Sequence, residues 1–166
     1  DHVSLIKALS QLPNSLDWEI NLIGDGPLII EAKNYTEKLK LKSRVNFLGF
    51  KRNLFNYYKE ADLFILSSNW EGLPITLLDA MNFTLPIIST KVGGCSDVIR
   101  HGFNGFLVPK KSPKHLTYFI KKCAEDNYLR TKMGENSKYL YDRLFKKELF
   151  IKNTISLYKK FLKIKK

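Results

Sequence analysis

The run 63–67, Leu-Phe-Ile-Leu-Ser, constrains this chain most, because it is short and apolar on both of its faces. A strand with one wet face alternates in polarity. One that is apolar almost throughout belongs in a parallel sheet covered on both sides. Similar short runs at 18–24, 45–49, 86–90 and 105–108 predict four further strands. Between them the spacing predicts helices over 28–41, 54–61, 73–81 and 95–100, joined by connections of a few residues. That β-α alternation predicts an α/β fold, a parallel sheet with helices on both faces. Residues 1–9 already read as helix interior. From Ser112, where a Ser-Pro pair suits an N-cap and first turn, the chain reads as helical to its end. Leu116, Phe119, Ile120 and Cys123 form one apolar stripe there, and Leu144, Ile151, Ile155, Tyr158 and Leu162 a later one.

Composition narrows the class. At 166 residues, 44% hydrophobic and 13% aromatic, the chain has enough apolar material for one compact domain and is not of disordered type. No apolar run approaches the ~20 residues of a membrane span. Cys95 and Cys123 stand in no metal-binding spacing and read as free thiols of a reducing, cytoplasmic compartment. The abrupt helical start reads as a piece of a longer protein. The net charge of +12 is unevenly placed. Residues 1–109 carry 11 basic and 11 acidic side chains, whereas 110–166 carry 17 basic and 5 acidic. A basic tail on a neutral body suits an anionic neighbour, either phospholipid headgroups or nucleic acid. The neutral body and the lack of aromatic-basic interleaving favour the lipid surface, at the inner face of a membrane.

In parallel sheets, ligands sit beyond the carboxyl ends of the strands. Four loops fall there: Gly24-Asp25-Gly26-Pro27, Phe50-Lys51-Arg52-Asn53, Glu71-Gly72-Leu73-Pro74 and Lys91-Val92-Gly93-Gly94. Glu71 stands at the mouth of a predicted helix and Asp79 two turns along it. At 3.6 residues per turn this spacing brings the two carboxylates to roughly the same side, about 12 Å apart along the axis. A helix N-terminus binds an anion, and flanking carboxylates accept hydrogen bonds from hydroxyls. Hydroxyls, anion, hydroxyls is the order of groups in a nucleoside diphosphate sugar. Gly72 lets a ligand approach the backbone, and Gly93-Gly94 reads either as a bare turn or as room for a diphosphate. His101 reads as a structural residue after a helix, and His2 and His115 as helical surface positions. No Ser/His/Asp order, metal-ligand cluster or P-loop lysine is present.

Residues 70–81, Trp-Glu-Gly-Leu-Pro-Ile-Thr-Leu-Leu-Asp-Ala-Met, followed by 86–90, Pro-Ile-Ile-Ser-Thr, and by Gly93-Gly94, resemble the signature of glycosyltransferase family 4, which is retaining and of GT-B fold. Gly24-Asp25-Gly26-Pro27 before it and 101–108 after it stand in the family's order. The resemblance covers nearly the whole chain as the C-terminal, donor-binding half of such an enzyme. It implies a Rossmann-like domain over 1–166, with 112–166 a basic helical segment. The acceptor would be held by an N-terminal domain outside this chain.

The resemblance also implies roles. Glu71 is the catalytic-site residue, contacting donor-sugar hydroxyls without acting as nucleophile. Gly24, Gly26, Gly72, Leu73 and Pro74 surround sugar and phosphate, mainly through backbone amides. Asp79 binds the ribose, and Phe50, Lys51, Arg52 and Asn53 line the base. No metal or cofactor is expected. The acceptor would be a glycan or a lipid-linked sugar in cell-surface polysaccharide or glycolipid synthesis, and the isolated domain is expected to be inactive alone. Two departures stand out. Asp79 replaces the family's usual Glu, one methylene shorter. The family's diphosphate-neutralising Arg and Lys lie upstream of the first helix here. The alternatives are a sugar-nucleotide epimerase of the same fold and a nucleic-acid-binding module.

Overall fold

The structure, a computed structural model, describes residues 1–163. Five strands alternate with helices in chain order: α1 (His2–Leu9), β1 (Ile20–Ile23), α2 (Ile29–Lys38), β2 (Val45–Gly49), α3 (Phe55–Glu60), β3 (Phe64–Leu66), α4 (Ile75–Asn82), β4 (Ile87–Thr90), α5 (Cys95–Val98) and β5 (Gly105–Val108). Then follow α6 (Pro113–Glu125), α7 (Asn127–Leu140), a π-helical turn at Tyr141–Phe145 and α8 (Lys147–Lys163). All strand pairs are parallel, as the uniformly apolar runs predict.

The sheet is divided. β1 pairs with β2, Ile20 opposite Val45, while β3, β4 and β5 form a second set with Ile88 opposite Phe106. Alternation along β4 shows how both faces are covered. Ile88 packs with Leu5, Leu9, Leu116, Ile120 and Met133, from α1, α6 and α7. Ile87 packs with Tyr58, Leu77, Met81, Val98 and Leu140, from α3, α4, α5 and α7. All four residues of β4 are buried, and it runs through the middle of the core.

Two expectations shift. The helix predicted over 73–81 begins only at Ile75, because Pro74 holds an extended ψ of 111° and acts as the N-cap. Proline also biases the residue before it away from helix, so Leu73 and Glu71 lie in a loop. The tail is helical through the described residues, as the sequence predicts, but in segments: the Asp126 carboxylate accepts from the Leu129 amide at 2.8 Å and starts α7 afresh. At the start of α6, Ser112 Oγ lies 2.6 Å from His115 Nδ1 and caps no amide. Residues 164–166 of the predicted tail lie outside the described residues.

α7 docks on α4 by close backbone approach. A Cβ at Gly134 would lie 2.1 Å from the Thr84 carbonyl oxygen, so only glycine fits. Lys138 reaches across to Asn82 Oδ1 at 2.9 Å. The same device joins β4 to β5, where Gly105 faces the Ile87 carbonyl. No helix among the described residues is long and apolar enough to cross a membrane.

Candidate functional site

All four loops singled out by the sequence emerge at the carboxyl ends of β1 to β4. They are tied together in two pairs. After β1, the Gly24 amide donates to the Gly49 carbonyl at 2.9 Å, joining the first loop to the second. Gly24 has φ +134°, a conformation that L side chains rarely adopt, so this turn requires glycine. Nothing lies within 4 Å of where a Cβ would stand at Gly24 or Gly26, which leaves space over this loop. Phe50, Lys51, Arg52 and Asn53 are exposed, Phe50 at 72%. Asn53 Oδ1 accepts from the Phe55 amide at 2.9 Å and orders the entry to α3.

The second pair of loops follows β3 and β4. The Gly94 amide donates to the Gly72 carbonyl at 2.6 Å. A Cβ at Gly93 would lie 1.8 Å from the Glu71 carbonyl oxygen, and one at Gly94 2.8 Å from that of Gly72. The paired glycines therefore admit the neighbouring loop against their backbone, the one carrying Glu71. Thr90, 1% exposed, donates its hydroxyl to the Ser68 carbonyl at 2.5 Å. Ser68 in turn donates its hydroxyl to Glu71 Oε1 at 2.6 Å. A buried strand residue thus fixes the serine that fixes the carboxylate. Thr90 and Ser68 were not singled out from the sequence, because a Thr at a strand end and a Ser in a loop are too common to mark a role.

Asp79 sits on α4 with its side chain exposed to solvent on one side. Partial desolvation by the helix wall still raises its carboxyl above the ordinary aspartate value. Its neighbour is Tyr58 of α3, whose phenol burial and the Asp79 charge push up to about 12. Tyr58 reaches the Thr76 carbonyl only at 3.5 Å. The two carboxylates thus have separate surroundings, Glu71 held by Ser68 in the loop and Asp79 beside the α3 phenol. Their spacing is set by a non-helical Gly72-Leu73-Pro74 segment followed by one helical turn, and not by two turns of helix. No side chain caps the first amides of α4, and Gly72 and Leu73 are exposed beside them while Pro74 is buried. A site of this form offers uncapped amides to an anion and a carboxylate on each side in sequence to hydroxyl groups.

The other candidates are structural. His101 Nδ1 accepts from the Leu107 amide at 3.1 Å, and its ring packs edge-on against Phe106 and Phe119. Cys95 and Cys123 are free and buried, and burial pushes the Cys123 thiol to about 11, which makes it inert.

Comparison with known proteins decides the family. Residues 1–139 match the family model described as glycosyl transferases group 1. The chain belongs to that family. Among curated relatives, it is 28% identical over 154 residues to an N-acetyl-alpha-D-glucosaminyl L-malate synthase of Bacillus anthracis, covering 93% of this chain and 40% of the relative. It is 36% identical over 109 residues to the Escherichia coli UDP-Gal:alpha-D-GlcNAc-diphosphoundecaprenol alpha-1,3-galactosyltransferase, covering 65% and 28%. Among solved structures, Anabaena Alr3699/HepE in complexes with UDP and with UDP-glucose superposes with a TM-score of 0.85 at 27% identity, covering 93% of this chain and 43% of that one. The fold is thus the GT-B type that the signature implied, and the chain spans less than half the length of these glycosyl transferases.

Proposed function

We propose that this domain binds the nucleoside diphosphate sugar donor of a retaining glycosyltransferase, at the carboxyl edge of its strands. The observation that carries the reading is the Glu71 loop. Its carboxylate is held by Ser68 immediately before an uncapped helix, in a chain similar to a protein solved with UDP and UDP-glucose. Glu71 orients donor-sugar hydroxyls. Backbone amides at 72–76 face the sugar and diphosphate, with Pro74 contributing shape but no N–H. Gly24 and Gly26 leave room beside them. Asp79 accepts from the ribose hydroxyls, which restore to it hydrogen bonds that partial burial removes. Phe50, Lys51, Arg52 and Asn53 line the base.

As the bond from the anomeric carbon to the diphosphate breaks, the helix amides and dipole stabilise the growing negative charge. Transfer then goes, with retention and without a bound metal, to a glycan or lipid-linked acceptor held by polypeptide outside this chain. On this reading the isolated domain binds donor but does not turn it over.

The basic tail gives the enzyme a peripheral place at an anionic membrane surface. In α8 about 160° of the helix surface, at 3.6 residues per turn, carries Phe150, Ile151, Ile155, Leu157, Tyr158, Phe161 and Leu162. These side chains are exposed, and Lys152, Lys159 and Lys160 stand on the opposite arc. Co-sedimentation with anionic but not neutral vesicles is the expected result, and its absence removes this part of the proposal.

A thermal-shift panel of uridine, guanosine and adenosine diphosphate sugars tests the donor site. One base is expected to raise the melting temperature by several degrees, and Glu71→Gln to reduce that rise while leaving the unliganded melting temperature in place. Equal indifference to all three bases contradicts the reading.

A further inference from the structure

Tyr58 of α3 lies buried across one face of α4 with its hydroxyl poorly satisfied. Its ring stacks on Phe83, with centroids 5.3 Å apart and planes 19° from parallel, and leans on Phe64 at 5.9 Å. Phe55 closes the group edge-on against Phe83 at 5.2 Å. The ring is therefore firmly held, but the hydroxyl at its end is not. Its acceptor, the Thr76 carbonyl, stands at 3.5 Å, against about 2.7 Å for an ordinary O–H···O bond. Buried phenols normally find a better partner.

Helical spacing shows which partner is at hand. Thr76, Asp79 and Phe83 follow one another three and four residues apart, in one row along α4 and its C-cap. The Phe83 amide donates to the Asp79 carbonyl at 3.0 Å, so Phe83 continues that row. A phenol that reaches Thr76 while its ring lies on Phe83 spans Asp79 between them. The charge of Asp79 accordingly acts on Tyr58, together with burial. Asp79 is itself poorly provided for. Ser68 holds Glu71 at 2.6 Å, whereas among the described residues desolvation acts on the Asp79 carboxyl with no hydrogen bond to offset it. A weakly bonded donor and an unbonded carboxylate thus share one face.

We propose that Tyr58 is a positioning residue for the donor's ribose. When donor binds, the phenol shifts its hydrogen bond from the Thr76 carbonyl to one oxygen of the Asp79 carboxylate, and the other oxygen turns to the ribose hydroxyls. A carboxylate is the better acceptor, since a charged partner makes a shorter and stronger bond than a neutral carbonyl. Bonds from phenol and ribose together offset the desolvation of the charge. The aromatic neighbours keep the ring in place, so the change is confined to the hydroxyl proton and the short Asp79 side chain. Tyr58 touches no substrate atom and acts through Asp79. This role rests on the donor-site reading and extends it at the ribose.

The test titrates the 166-residue chain with uridine, guanosine and adenosine diphosphate and with the 2′,3′-dideoxy form of each. The variants are Tyr58→Phe, which keeps the ring stack, Asp79→Ala, and the two combined. For the ribonucleotide that binds the unsubstituted chain, Tyr58→Phe is expected to weaken affinity about fivefold, the weight of one net hydrogen bond. Affinity for the dideoxy form, which offers Asp79 no hydroxyl, is expected to stay as it was. In the Asp79→Ala background Tyr58→Phe is expected to have no further effect. A second readout needs no variant: the NMR signal of the Tyr58 Cζ carbon is expected to move with the ribonucleotide and not with its dideoxy form. Equal weakening of both nucleotides gives Tyr58 a packing role alone and overturns the proposal. So does undiminished ribonucleotide binding, a Tyr58→Phe effect that persists in Asp79→Ala, or a Cζ signal that ignores the ribose hydroxyls. If no nucleotide binds the unsubstituted chain, the donor-site reading fails and this role with it, which tells the two failures apart.

Discussion

Asp79 and Tyr58 are the two side chains near the site whose protonation the fold visibly disturbs, and both can be tested singly. The carboxyl of Asp79 is raised by desolvation, so the folded state holds its proton more tightly than the unfolded one. Its contribution is most favourable below the ordinary aspartate value and is lost as pH rises past it. Asp79→Asn therefore leaves the melting temperature at pH 7 unchanged or higher, while donor affinity falls about tenfold for a lost charge-assisted hydrogen bond. Tyr58, held to about 12, behaves alike at the alkaline end. The folded state keeps the phenolic proton after the unfolded chain has lost it, so stability falls as pH climbs from 10 toward 12. With 1.36 kcal/mol per unit the loss approaches roughly 3 kcal/mol. Tyr58→Phe removes that part of the alkaline slope, measured by urea unfolding at pH 8, 10 and 11. An identical slope in the variant would mean that burial does not hold the phenol neutral. The position of Glu71 was legible in the sequence from the residues around it. Its partner was not, because nothing local distinguishes Ser68 from Ser67 until β3 and β4 lie side by side and Thr90 selects one carbonyl.

At the scale of elements, glycines set the geometry of the site. Gly93, at φ +44°, packs its bare Cα against the Glu71 carbonyl. Gly93→Ala forces a backbone contact apart and is expected to cost roughly 3 kcal/mol, an overpacking effect combined with left-handed strain. That lowers the melting temperature by about 10 °C in a domain of this size and displaces the Glu71 loop. Gly26→Ala, in open space, is expected to shift it by less than a degree or two. Equal melting temperatures for the two variants would contradict the close approach. The strands were the most readable elements: β2 and β5 match the expected 45–49 and 105–108 because a glycine punctuates each at one end. Helix starts were less so. A proline in a first turn normally marks N1, yet at Pro74 the extended ψ makes it the cap and leaves Glu71 outside the helix. The Asp126 cap that divides the tail carries a visible signal, Glu-Asp-Asn, which a helical reading of the whole tail passes over.

At the scale of the molecule, the parallel α/β architecture followed from the apolar runs together with their alternation with helices, since strands wet on one face do not read that way. The division of the sheet did not. That β1 and β2 stand apart from β3, β4 and β5 reflects which strands lie side by side in space, and neither set's residues announce it. The charge partition survives into the fold only in part. Lys138 and Lys146 both bridge the Asp142 carboxylate at 3.1 Å, spending some of the tail's positive charge internally. Lys152, Lys159 and Lys160 remain turned away from the apolar arc of α8. Replacing Lys152, Lys159 and Lys160 by Gln is therefore expected to abolish anionic vesicle binding with little change in melting temperature. Retained binding would assign the interaction to another surface.

The central claim is that one nucleoside diphosphate sugar lies across the carboxyl edge between the 24–27 and 50–53 loops and the 71–79 segment. Titrating the isotopically labelled chain with the donor selected by the thermal-shift panel, and following backbone amide shifts, tests it most directly. Saturable shifts confined to 24–27, 50–53 and 71–79, lost in Glu71→Gln, are the predicted result. Shifts that cluster elsewhere on the domain, or that survive intact in Glu71→Gln and Asp79→Asn, would contradict it.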